Sequence, residues 1–272
     1  MTTSALPTVA HSRVERTTAL GRAVVFLVLF SPFYLLPRLF SVGPVVMVVV
    51  LLVVSFLFLR SEGRSLSVLG LELSWRTPRD LLFGWVGGAL LIVIMAVGVR
   101  LALPHPWLRN PGFRISAAMF SLLYLLAGNG VEELIFRGYS FERLIVAIGH
   151  WPAQIVTALL FAVFHIAEGW PWQTALIGTT AGSLLFGLVF VRWRSVPAAL
   201  GVHAAGNWVR DLLLDDPPTP KTLYAPLAPR MWSSREQMLA MAIFTVVTLI
   251  ACAVLSASIS RQRREAAALS RT

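Results

Sequence analysis

The run GPVVMVVVLLVVSFLFL, Gly43 to Leu59, has no polar face at any helical spacing. A helix on the surface of a soluble core shows an apolar stripe and a polar one, so a segment apolar all round needs lipid or much protein around it. Its length approaches the roughly 20 residues that cross about 30 Å of hydrocarbon. Seven further runs have this character: Ala23 to Leu36, Leu81 to Val99, Ile115 to Ile135, Pro152 to Ala167, Thr174 to Val191, Val196 to Leu214 and Met238 to Ile259. The first follows Arg13, Arg16 and Arg22 in the manner of a leader peptide, but no A-x-A site follows it, and it reads as a helix. With 57% hydrophobic and 13% charged residues, the chain is too apolar for an ordinary soluble domain. The expected fold class is an all-α polytopic membrane protein of about eight transmembrane helices, forming one integral membrane domain over residues 1–272.

Charge orients it. Of 23 Lys and Arg residues, 15 fall in the N-terminal tail (1–22), the even-numbered connections and the C-terminal tail (260–272), against 7 in the odd-numbered connections, with Arg210 inside the seventh run. The positive-inside rule then puts both termini in the cytoplasm. The net charge of +10 is a topology signal of this kind and calls for no nucleic-acid partner. Seven of nine tryptophans lie at the ends of runs, where the lipid headgroups sit. The longest polar connection, a proline-rich loop over residues 215–236, falls on the outer side and reads as a stiff extended linker. Cys252, the single cysteine, sits within the eighth run, so there is neither a disulfide framework nor a thiolate metal site.

Ionisable groups inside apolar runs are costly and mark sites. Glu132, Glu133 and Arg137 belong to the fourth run, His165 to the fifth, and His203, Asn207 and Arg210 to the seventh. Glu133 and Arg137 are four apart with the acid first, the favourable order for an ion pair on one helical face. Glu132 is turned about 100° away and is left for chemistry. His203 with Asn207, and Phe161 with His165, repeat the spacing of four. A helical hairpin turning at His150 to Pro152 brings Glu132 and His165 to one height. That geometry has the fourth helix continue to Ile148, with Ser140 to His150 protruding from the cytoplasmic face, and has the polar pocket open to the cytoplasm.

In order along the chain, EELIFR (Glu132 to Arg137), FAVFH (Phe161 to His165) and HAAGN (His203 to Asn207) match EExxxR, FxxxH and HxxxN. Together they resemble the CPBP family of intramembrane glutamic endopeptidases, the CAAX prenyl protease and bacteriocin-processing (ABI-type) group. The catalytic core on this resemblance is 113–214, with the active site between the fourth, fifth and seventh helices. The resemblance implies that Glu132 is the general base on a water, that His165 positions or polarises that water, and that His203 and Asn207 donate hydrogen bonds to the oxyanion. Glu133, Arg137 and Phe161 are supporting residues. It implies no cofactor, and a peptide or protein substrate that can itself be membrane-anchored. The Arg-dominated composition suggests a bacterial plasma membrane, with peptide or protein maturation or bacteriocin immunity as the setting.

Rival readings come from other classes. A zinc-dependent membrane metalloprotease has only Glu132, His165 and His203 as ligands, since no HExxH occurs. A rhomboid-like serine protease has Ser183 as its candidate nucleophile, within small residues that read as helix packing. A transporter could use Glu132 as a proton relay. A non-catalytic scaffold or immunity factor of the same fold would act by binding alone.

Overall fold

A computed structural model describes residues 12–35, 43–103, 107–214, 218–226 and 232–269. The far ends of both basic tails, Leu36 at the end of the first run, and residues 215–217 and 227–231 of the outer loop lie outside the described residues.

The helices begin where local chemistry favours it. Ser12 and Glu15 form a reciprocal capping box at the start of α1 (Arg13–Leu35), with the Ser12 amide 2.7 Å from Glu15 and the Glu15 amide 3.2 Å from the Ser12 hydroxyl. Pro44 occupies the first turn of α2 (Pro44–Arg60). After α3 (Arg76–Ala102) a short strand β1 (Trp107–Arg109) precedes α4 (Ile115–Phe136). Next come α5 (Tyr139–Ile148), α6 (His150–Ala167), a π-helical turn at Thr174–Thr179 leading into α7 (Thr180–Trp193), and α8 (Val196–Leu214). Strand β2 (Tyr224–Pro226) pairs antiparallel with β1, and α9 (Ser234–Leu269) closes the chain behind a second capping box between Ser233 and Glu236.

Among the described residues, five helical segments are long and apolar enough to cross a membrane: Arg76–Ala102, Ile115–Ile148, His150–Ala167, Thr174–Trp193 and Ser234–Leu269. The protein is therefore a polytopic helical membrane protein. The expected eight crossings are not all of this kind. α2 is apolar but has only 17 residues. α1 and α8 are helices outside that set. For α8 the reason is composition, since His203, Asn207, Arg210 and Asp211 interrupt it and its buried side rests on protein.

α8 runs at the centre of the bundle against α3, α4 and α7. Small residues allow its contact with α3. A Cβ at Gly84 would stand 2.1 Å from the Ala198 carbonyl oxygen, one at Gly88 2.3 Å from that of Val202, and one at Gly201 2.2 Å from that of Leu81. Only glycine permits this backbone approach, the usual way membrane helices pack without a hydrophobic driving force between them.

Two expectations fail. The fourth helix does not continue to Ile148 as a protruding extension. It breaks at Arg137 and Gly138, where Gly138 takes ψ −134 and the Ser140 hydroxyl donates to the Ile135 carbonyl. A side chain at 138 would meet the Leu134 carbonyl at 2.1 Å. The chain bends there into α5, whose Tyr139, Ser140, Phe141 and Glu142 are buried and which packs against α1. The outer loop is more than a stiff extended linker over its described part, because 224–226 is paired with β1 and Asn110 donates to the carbonyls of Thr219 (2.9 Å) and Thr222 (3.0 Å). That ribbon is also a small departure from an all-α fold.

The end of the bundle opposite the ribbon is locked by charge. Glu62 takes Arg22 and Arg143, each at 2.7 Å, and the Tyr139 hydroxyl. Glu142 takes Arg64 at 2.6 Å and Arg194 at 3.3 Å. Arg194, at φ 52, makes the left-handed turn between α7 and α8.

Candidate active site

Arg137 is 1% exposed, and the structure gives it partners on every side. Its guanidinium lies 3.4 Å from Glu133 Oε1 and donates to the Ser183 carbonyl (3.0 Å) and hydroxyl (2.6 Å), while the rings of Phe161 (4.7 Å) and Phe186 (5.3 Å) flank it. A buried charge is tolerated only with this degree of pairing. Ser183, weighed as a nucleophile, is thus an anchor for Arg137. Phe161 is a pillar, edge-on to Phe136 (5.0 Å) and to His165 (4.5 Å).

Glu133 serves two partners through one oxygen. Besides Arg137, its Oε1 accepts the Nδ1 hydrogen of His203 at 2.8 Å. The sequence pattern assigns Glu133 to the helix and His203 to the pocket, and it gives no sign that they touch. The His203 ring stacks on Phe186 (4.2 Å, 20°), and its Nε2 faces Asn129 Nδ2 at 3.1 Å and Glu132 Oε2 at 3.5 Å. Asn207, one turn on, donates to Asn129 Oδ1 at 3.3 Å. Glu132 Oε2 is itself enclosed and has no hydrogen-bond partner among the described residues.

Glu132, His165, His203 and Asn207 all line one cavity of about 530 Å³. His165 turns Nδ1 back to donate to the Phe161 carbonyl at 2.8 Å, which fixes the ring and directs Nε2 the other way. Asn129, buried on the α4 face four residues before Glu133, is the site residue missed from sequence. The signal was present as N-x-x-x-E, the helical spacing already used for the other pairs. Arg210 and residues of the π turn, Thr174 and Gly178 among them, also line the cavity. π turns often occur at functional sites.

The cavity extends beyond the motif residues. Its wall reaches Trp170, Leu214 and Trp232 at the end of the bundle that bears the ribbon, and no residue of α5 contributes to it. Arg137 with its aromatic neighbours forms the floor on the α5 side. Near the mouth, Glu168 follows α6. Although exposed, it loses enough of its water shell against the bundle that its carboxyl is pushed up to about 7, with the negative charge of Glu132 adding to the shift. Among the described residues, no group of three or more His, Cys, Asp or Glu side chains is placed to hold a metal ion.

A membrane-embedded bundle with a carboxylate, two histidines and two amides lining one chamber defines a class of candidate membrane hydrolases. Residues 114–209, the segment that carries all three motifs, match the family model described as Rce1-like, type II CAAX prenyl endopeptidase Rce1-like, so over this segment the chain is similar to the CAAX proteases. The family is one of proteases, which supports endopeptidase activity on a peptide substrate in a lipid environment. No curated protein and no solved structure matches the chain.

Proposed function

We propose that the protein is an intramembrane endopeptidase that hydrolyses peptide bonds with a water activated by Glu132. The observation that carries this reading is the Glu132 carboxylate, whose Oε2 is enclosed, has no hydrogen-bond partner among the described residues and lies 3.5 Å from His203 Nε2 beside a chamber large enough for a peptide segment. A buried carboxylate oxygen without a protein partner is a site for binding water or substrate. Glu132 takes a proton from water as the oxygen attacks the peptide carbonyl, and the proton is delivered to the departing amine. His165 orients the water. His203 and Asn207 stabilise the oxyanion, a contribution of about 3 kcal/mol per donor. Glu133 and Arg137 hold the geometry and balance the charge, and the reaction needs no metal.

The charge asymmetry supports a plasma-membrane protein with both termini cytoplasmic, and the same asymmetry directs the cavity mouth to the outer face. Maturation or turnover of membrane-anchored peptides, or bacteriocin immunity, fits that placement. The test compares membranes from cells expressing wild type and Glu132→Gln, with folded protein levels matched, for new C-termini. Cleavage products present only with wild type support the proposal. Their persistence with Glu132→Gln points to a base other than Glu132. A cellular effect retained without any cleavage identifies a scaffold, and loss of cleavage on chelation with recovery on zinc identifies a metalloprotease.

A further inference from the structure

Asn129 and Glu133 are one turn apart on α4, and His203 and Asn207 are one turn apart on α8. The two pairs interlock. Glu133 Oε1 meets His203 Nδ1 at 2.8 Å, Asn129 Nδ2 meets His203 Nε2 at 3.1 Å, and Asn207 Nδ2 meets Asn129 Oδ1 at 3.3 Å. Asn129 and His203 are buried, and Asn129, His203 and Asn207 all line the cavity.

The donor and acceptor rules settle how this ladder is wired. An amide nitrogen only donates, so His203 Nε2 must accept from Asn129 and carry no proton of its own. The ring proton is then on Nδ1, where it is donated to the Glu133 carboxylate. Asn129 Oδ1 accepts one N–H of Asn207, which leaves the Asn207 nitrogen a second N–H to donate.

We propose that Asn129 is a positioning residue of the site, whose amide holds His203 as the Nδ1-protonated tautomer and fixes the orientation of Asn207. This deepens the endopeptidase reading and rests on it for the chemistry. In the resting site, Nε2 is kept as an acceptor beside Glu132 Oε2. When Glu132 has taken a proton from the attacking water, that proton can pass to Nε2. Nε2 then becomes a donor, its bond from Asn129 breaks, and the imidazolium faces the substrate oxyanion until the proton moves on to the departing amine as the C–N bond breaks. Asn129 thus keeps His203 from donating before the water has been deprotonated.

The experiment is nitrogen NMR on the full chain with ring-labelled histidine in a bilayer, the His203 signals assigned by their loss in His203→Gln. In wild type the expected spectrum is a neutral ring protonated at Nδ1, with Nε2 accepting a hydrogen bond. In Asn129→Ala the Nε2 resonance should move to the position of an imine nitrogen without a donor, and cleavage should slow about ten- to hundredfold at unchanged saturation. Asn129→Ser, which keeps one donor, should restore part of both. A proton on Nε2 in the wild type overturns the proposal, and this reading needs no variant to fold. An Nε2 resonance unmoved by Asn129→Ala overturns it as well. Glu132→Gln separates the two readings, since it tests the protease reading through cleavage while the wild-type tautomer is read independently of any substrate.

Discussion

At the scale of single residues, the site is a set of buried charges that depend on one another. Arg137 directs its planar guanidinium at Glu133 and at both oxygens of Ser183, a division that a lysine ammonium on a flexible stem does not reproduce. Replacing it with alanine leaves Glu133 buried with His203 alone, and breaking such a pair costs about 3–5 kcal/mol. The thermal midpoint of Arg137→Ala in detergent should therefore fall sharply, with Arg137→Lys recovering only part. Glu168 gives a prediction in pH. Its folded carboxyl is pushed up to about 7, above the ordinary 4.5, so the folded state binds the proton more tightly than the unfolded chain does. Its unfavourable contribution is absent below about 4.5, grows as pH rises and is complete above about 7. Glu168→Gln should flatten the decline in thermal midpoint between pH 5 and 7, measured against wild type.

At the scale of elements, the glycines of α3 set the position of α8 and with it His203. Gly87 and Gly88 are adjacent, yet a Cβ at Gly87 meets nothing within 4 Å, whereas one at Gly88 falls 2.3 Å from the Val202 carbonyl. Gly87→Ala should shift stability by no more than about 0.5 kcal/mol. Gly88→Ala should cost about 1–3 kcal/mol as overpacking and should reduce cleavage as well, read by thermal melts and product yield on the same preparations. The helices were largely legible from the sequence because apolar runs and charge pairs report directly on lipid and on spacing. The break at Gly138 was not, because a glycine after EELIFR is equally compatible with a continuing helix until the Leu134 carbonyl and the Ser140 hydroxyl are in place. The β1–β2 ribbon was hidden for a related reason, since strands of three residues carry no periodicity to read. Within the site, EExxxR, FxxxH and HxxxN named residues that line one cavity. The contact of Glu133 with His203 and the part of Asn129 depend on how α4 and α8 face each other, which one-dimensional spacing does not contain.

At the scale of the whole molecule, the charged lock of Glu62 and Glu142 with four arginines closes one end of the bundle, and the chamber leads toward the other. With the arginine-rich end in the cytoplasm, a cysteine placed at Thr219 in a Cys252→Ala background should react with an impermeant thiol reagent added outside intact cells, and one placed at Ser12 should not. The account as a whole stands on Glu132, which is the carboxylate with an enclosed oxygen facing both His203 and the chamber. The most direct measurement is the yield of new peptide C-termini in membranes bearing wild type or Glu132→Gln at equal folded abundance. The account predicts products with wild type and at least a hundredfold fewer with Glu132→Gln, in keeping with the 10²–10⁴-fold worth of a positioned general base; equal yields from the two proteins would contradict it.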